Sequence, residues 1–162
     1  MMEFSKFGKF KVYLETSVIS HLDQPEKDME YRYTHEFWDK AKAGEYDIYI
    51  SGVVIEELSR CEDDKKQILL DKLDEVMYKE IAITPEISLI ADNIIDRKIL
   101  TQKSILDCQH IAAAVVGECD YLLSWNMKHL CNIYTNDGIR HITMDYGYKE
   151  MQIIPPSMLL RK

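Results

Sequence analysis

Short apolar runs typical of buried strands alternate with longer segments of helical periodicity along this chain, and this alternation constrains the fold most. We predict strands at 10–14, 46–50, 81–83, 121–123 and 151–154, and helices at 28–43, 52–58, 63–79, 85–100, 104–116 and in a segment ending at Gly147. Strands that alternate with helices favour a parallel sheet covered on both faces. The predicted fold is an α/β three-layer sandwich with a mainly parallel central sheet flanked by helices.

Local signals support several of these boundaries. Gly44 suits the end of the first long helix, and Ser51 is a good N-cap for the helix that follows the second strand. Thr84 precedes Pro85, which places an N-cap residue before a proline at the first helical position.

Length and composition narrow the class of protein. The 162 residues amount to a single domain, predicted over 1–162, and 46% hydrophobic residues argue against disorder. The net charge of −8 means that nucleic acid needs a local basic surface or a bridging cation.

Targeting features and cysteines point to the cytoplasm. No apolar run approaches the ~20 residues of a membrane helix, so we expect no membrane association, and the first residues do not read as a signal peptide. The four cysteines contain no C-x-x-C pair and are interpreted as buried or incidental thiols.

Acidic and amide side chains recur where predicted strands end or helices begin. In parallel sheets the functional crevice lies beyond the carboxyl ends of the strands. The candidates for this crevice are Glu15, Glu57 with its neighbour Glu56, Asp107 and Asn126. Converging carboxylates repel one another unless a cation lies between them, and oxygen ligands suit Mg²⁺ or Mn²⁺. Such ions promote phosphodiester cleavage.

Four segments carry a family resemblance, in the order Val12-Tyr-Leu-Glu-Thr-Ser, Ser51-Gly-Val-Val-Ile-Glu-Glu-Leu, Asp107-Cys-Gln-His-Ile-Ala-Ala-Ala and Asp120-Tyr-Leu-Leu-Ser-Trp-Asn. Together they resemble a PIN domain, and within that superfamily the VapC-type ribonuclease toxins of toxin–antitoxin pairs. The resemblance covers about 10–156, taken as the domain core. It implies a metal-dependent endoribonuclease with an RNA substrate, an antitoxin partner and a homodimeric state.

The resemblance also implies roles for individual residues. Glu15, Asp107 and Asn126 would hold the Mg²⁺ or Mn²⁺ ion, and Glu57 would position or deprotonate the attacking water. Two positions depart from the family pattern, which usually has Asp where this chain has Glu15, and commonly Asp where it has Asn126. Both departures bear on the level of activity more than on the fold.

Four further residues flank these acids and are candidates for substrate contacts: Thr16, Arg60, Lys103 and His110.

Each site residue also has a structural interpretation. Ser104-x-x-Asp107 matches a capping box, and Asn126 suits an ordinary turn after a strand. Glu15 could pair with a nearby Lys or Arg, and Glu57 could be a surface charge beside Arg60. His110 could be a hydrogen-bonded core histidine.

Two other functions remain open from the sequence. A degenerate PIN domain would bind RNA or protein without cutting it, and Glu15 and Asn126 favour this alternative. A phosphoacceptor signalling domain would need adjacent acids after the first strand, where Leu14-Glu15-Thr16 supplies one.

Overall fold

A computed structural model, which describes residues 8–160, contains one five-stranded sheet in the order β3-β2-β1-β4-β5. Every neighbouring pair of strands is parallel. The strands are β1 (Lys11–Leu14), β2 (Asp47–Ser51), β3 (Tyr78–Ile81), β4 (Tyr121–Leu123) and β5 (Gln152–Ile154). The α/β sandwich with a parallel sheet is therefore confirmed.

Eight α-helices accompany this sheet within residues 8–160. They are α1 (Thr16–Ser20), α2 (Asp28–Lys42), α3 (Gly52–Ser59), α4 (Asp63–Leu73), α5 (Pro85–Asp96), α6 (Ile105–Val116), α7 (Ile133–Tyr146) and α8 (Pro156–Leu159). Short 3₁₀ turns cover His21–Asp23 and Gln102–Ser104.

The central strand β1 organises the core. Val12, Tyr13 and Leu14 are fully buried, and Val12 lies opposite Ile48 of β2 on one side and Tyr121 of β4 on the other. The chain adds β2 and β3 on one side of β1, then crosses over to add β4 and β5 on the other. The strand order therefore reverses next to β1, which is the position where α/β sheets open a crevice for ligands.

The predicted elements mostly coincide with the observed ones. Four of the five strands lie within one residue of their predicted bounds, and Ser51 and Thr84 cap α3 and α5 through their side chains. Gly44 follows α2 in a left-handed conformation with φ of +79°, which glycine adopts without strain.

The prediction of one helix over 63–79 and a strand at 81–83 is wrong. The helix ends at Leu73, and Tyr78–Ile81 pairs in parallel with β2, with Tyr78 opposite Ile48. Val76 is buried in either arrangement, so the apolar pattern does not distinguish them. Pairing with β2 decides the outcome because it satisfies the backbone of this segment.

Three helical features also differ from prediction. The helix from Pro85 ends at Asp96 rather than near Leu100, because Lys98 adopts a left-handed conformation with φ of 61°. The short helices α1 and α8 were not predicted, since four or five residues carry too little periodicity to detect.

No helix among residues 8–160 has the length and apolar character needed to cross a membrane. The four cysteines are free thiols, with Cys108 and Cys119 buried and Cys61 and Cys131 partly buried.

Candidate metal centre

Glu15 follows β1 directly and is held by three hydrogen bonds. Its Oε1 accepts from the hydroxyls of Ser17 and Ser124, each at 2.6 Å, and its Oε2 accepts from the Ser17 backbone N–H at 3.2 Å. Glu15 is the N-cap of α1 and is only 7% exposed. None of the ion pairs within residues 8–160 includes Glu15, so polar donors rather than a Lys or Arg stabilise its carboxylate.

Glu57 reaches the same edge of the sheet from α3. Its Oε1 accepts from Thr16 Oγ1 at 2.5 Å and lies 2.6 Å from His110 Nε2. Burial alone would raise the pKa of Glu57, but the hydrogen bonds from His110 and from the Thr16 hydroxyl hold the pKa below its usual value. Glu57 is therefore ionised at neutral pH.

The alternative that Glu57 is a surface charge beside Arg60 does not describe the structure. Arg60 pairs with Glu56 instead, with 2.6 Å between Nη2 and Oε1, and both side chains are exposed. The one-residue offset separates the two glutamates onto different faces of α3. Glu57 faces Thr16 and His110, whereas Glu56 faces solvent.

Asp107 lies in the first turn of α6, and the capping-box interpretation is wrong. Ser104, the residue before the helix, makes no side-chain capping hydrogen bond. Burial, with the charges of Glu15 and Glu57 added to it, raises the pKa of Asp107 to about 6. Asp107 is thus an acid whose ionised form is disfavoured by its surroundings.

Glu15, Glu57 and His110 form a compact set of possible ligands. One ligand atom from each of Glu15, Glu57 and His110 lies within 4.8 Å of the other two. Since Nε2 of His110 is hydrogen-bonded to Glu57, carboxylate oxygens are the atoms available to a cation. Glu15, Glu57 and Asp107 repel one another electrostatically, and this donor set fits a hard divalent ion such as Mg²⁺ or Mn²⁺.

Asn126, the fourth predicted residue, forms a turn. Its Oδ1 accepts from the backbone N–H of His129 at 3.1 Å, and its carbonyl accepts from Leu130 and Cys131. Its own N–H donates to Ser124 Oγ, the hydroxyl that also donates to Glu15. Asn126 is therefore linked to the centre through Ser124, and its role as a metal ligand stays a prediction.

The four predicted substrate residues lie in different environments. Thr16 is bonded to Glu57, whereas Arg60 and Lys103 are exposed, with Lys103 in the turn before α6. His110 is fully buried between Tyr13 and Glu57. The predicted contact between His110 and substrate is not compatible with this burial, and the alternative of a hydrogen-bonded core histidine describes it better.

Sequence reasoning missed the hydroxyl groups that hold the acids in place. Ser17 and Ser124 donate to Glu15, and Tyr13 bonds to His110 and Ser51. The position of Ser17 two residues after an acid that ends a strand was the available signal for a local side-chain cap. Nothing in the local sequence marks Tyr13, since an apolar strand accommodates an aromatic residue in any case.

The pKa of Asp107 allows a direct test of how far burial and neighbouring charges disfavour its ionised form. In EDTA at pH 8, we expect Asp107→Asn to raise the free energy of unfolding by about 1–2 kcal/mol, after allowing for partial solvent screening. Because the folded-state pKa lies above the unfolded value, the wild type gains stability as the pH falls from about 6 towards 4. The advantage of the variant should disappear over that interval. Urea unfolding across this pH range is the measurement.

The matched control is Asp74→Asn, which changes an exposed acid at the end of α4. It should leave the free energy of unfolding unchanged. A loss of stability in Asp107→Asn at pH 8 would contradict an unfavourable ionised Asp107 and restore a capping role for this residue.

Comparison with protein-family models and with curated proteins finds no match to this sequence in either set. Among solved structures, the chain is similar to one chain of VapBC2 from Rickettsia felis bound to a DNA fragment from their promoter. The TM-score is 0.55 at 14% identity, and the match covers 90% of this chain and 98% of that chain. At this identity the likeness shows the fold alone. The chain therefore has the PIN-like α/β fold that its sequence motifs predict.

Proposed function

We propose that this protein is a divalent-metal-dependent endoribonuclease and the toxin of a VapC-like toxin–antitoxin pair. The observation that carries the proposal is that carboxylate oxygens of Glu15 and Glu57 lie within 4.8 Å of each other where the strand order reverses, and that their charges, added to burial, raise the pKa of Asp107. The three acids come from the residue after β1, from α3 and from α6, and no Lys or Arg of residues 8–160 forms an ion pair with them. A cation and a phosphate substrate account for all three.

Each acid has a distinct part in the proposed reaction. Glu15 and Asp107 would hold Mg²⁺ or Mn²⁺, and Asn126 would contribute directly or through water. The bound ion would supply a positive charge that offsets charge developing on the scissile phosphate. Glu57, ionised at neutral pH, would accept a hydrogen bond from the attacking water and orient it.

The proposed partners follow from the fold and from charge. The similar chain comes from VapBC2, and by analogy we propose an antitoxin protein as the partner of this chain. The homodimeric state is proposed on family resemblance. Since the net charge is −8, RNA would need a local basic path, for which Arg60 and Lys103 are the nearest candidates by sequence position.

Two adjacent glutamates give a matched test of nuclease activity. We expect the wild type to cleave structured RNA with Mg²⁺ or Mn²⁺ and to stop in EDTA. Glu57→Gln should lower the cleavage rate by about 10²–10⁴-fold, because it removes the group that orients the water. Glu56→Gln should retain the wild-type rate, because that side chain faces solvent and, within residues 8–160, forms an ion pair with Arg60 alone.

Gel-based cleavage of several RNA substrates, with each variant at equal folded concentration, is the measurement. Equal rates for the Glu57→Gln variant and the wild type would rule out the proposed function.

A catalytically degenerate domain is the second candidate, and Asn126 is the observation that favours it. Its side-chain oxygen is already bonded to the His129 N–H, and it lacks the charge of the acid common at this position. Such a domain would bind RNA or protein without cleavage.

Asn126→Asp tests whether position 126 faces the ion. The change keeps the oxygen that caps His129 and adds one negative charge. We therefore expect Mn²⁺ affinity to rise about 10-fold, or ~1.4 kcal/mol, by calorimetric titration. Asn132→Asp is the control, since Asn132 caps Thr135 in the same way at the start of α7. An equal or weaker affinity in Asn126→Asp would place this residue outside the site.

A further inference from the structure

A chain of buried hydrogen bonds lies behind Glu57. Tyr13 Oη is 2.8 Å from Ser51 Oγ and 2.6 Å from His110 Nδ1, while His110 Nε2 is 2.6 Å from Glu57 Oε1. Tyr13, Ser51 and His110 are each 0% exposed. This series of hydrogen bonds begins at Ser51, the N-cap of α3. It passes through Tyr13 of β1 and His110 of α6 and returns to Glu57 on α3.

Hydrogen-bonding capacity fixes the direction of this chain. An ionised Glu57 can only accept, so Nε2 of His110 donates to it. In the neutral ring Nδ1 then accepts from the Tyr13 hydroxyl, and the Ser51 hydroxyl donates to Tyr13. Ser51 Oγ accepts in turn from the Val53 N–H at 3.2 Å. Each polar hydrogen in this series of hydrogen bonds is donated to the next group, in the direction from Val53 to Glu57.

These hydrogen bonds leave one carboxylate oxygen of Glu57 without a donor from residues 8–160. Thr16 and His110 both bond to Oε1, whereas Oε2 accepts no hydrogen bond from any side chain or backbone group of residues 8–160. Two donors on one oxygen hold the carboxyl group in a single orientation, which is a requirement for a precise active site. Their own positions are fixed because Tyr13 and His110 cannot move within the packed core.

We propose that Tyr13 and His110 are positioning residues that hold Glu57 with Oε2 available to the attacking water. This role rests on the proposed nuclease function, but the hydrogen-bonded chain does not. Because the hydrogen bond from His110 already fixes the orientation of the Glu57 carboxylate, the carboxylate does not have to reorient before it accepts a proton from a water molecule. The histidine acts through Glu57 and touches neither metal nor RNA.

The first test does not depend on cleavage. Long-range ¹H–¹⁵N correlation spectra of the full chain labelled with ¹⁵N-histidine, recorded in EDTA, report the tautomer of each ring, and His110→Gln assigns the His110 signals. We expect His110 to carry its hydrogen on Nε2, and Tyr13→Phe to shift the Nδ1 signal to that of an unbonded nitrogen. A ring protonated on Nδ1, or one insensitive to Tyr13→Phe, overturns the proposal.

Tyr46→Phe is the matched control for that substitution. Tyr46 is a partly buried tyrosine that stacks on Phe37, with ring centroids 5.4 Å apart, and it is separate from the His110 chain. Removal of its hydroxyl should leave both the His110 signals and RNA cleavage unchanged.

The second test is single-turnover RNA cleavage at saturating Mn²⁺. Tyr13→Phe should lower the cleavage rate constant about 10–100-fold, the usual effect of losing a group that orients a functional residue, with RNA affinity and Mn²⁺ affinity within about twofold of wild type. His110→Gln retains an amide donor and should keep more of the rate constant than His110→Leu. A structural role alone would not separate those two variants at equal folded fraction.

The outcomes of these experiments test the positioning role and the nuclease function separately. Full cleavage by Tyr13→Phe, or equal rate constants for His110→Gln and His110→Leu, overturns the positioning role while the nuclease function stands. A wild type that cleaves no RNA but shows the expected tautomer overturns the nuclease function, and with it the positioning role, and leaves the hydrogen-bonded chain.

Discussion

The convergence of three acids without a basic partner is the constraint on which the rest of the site depends. Glu15 directly follows β1, and Glu57 and Asp107 lie on α3 and α6; no Lys or Arg of residues 8–160 forms an ion pair with any of them. Two of the acids are stabilised by hydrogen bonds from hydroxyls, a backbone amide and an imidazole, whereas burial and its neighbours raise the pKa of Asp107. The cation that we propose for this site would offset the cost of bringing these acids together.

The parallel sheet is what brings the acids together. The strand order reverses beside β1, and Glu15 follows that strand directly, with its side chain joined to Ser124 after β4. Tyr13, two residues before Glu15, reaches His110 and Ser51 with its hydroxyl. Strand β1 and the residue that follows it thus contribute to two networks, one around Glu15 and one that includes Glu57.

Sequence reasoning could predict the parts of this structure that depend on local pattern. Strand and helix order, the caps at Ser51 and Thr84, and the acids at strand ends all follow from periodicity and spacing. Sequence reasoning failed where tertiary contacts determine the local structure. Residues 78–81 look like the end of an amphipathic helix, but their pairing with β2 makes them a strand. From its place on the helix, His110 could contact substrate, and only its burial and its hydrogen bond to Tyr13 of β1 show that it is enclosed.

The most direct test of the central claim is anomalous diffraction from crystals of the protein grown or soaked with Mn²⁺. If the three acids are a cation site, the anomalous map should contain a strong peak in bonding contact with a carboxylate oxygen of Glu15 or Asp107, and the peak should disappear in Asp107→Asn. An empty map around these acids at saturating Mn²⁺, or a peak held only by other residues, would contradict the account.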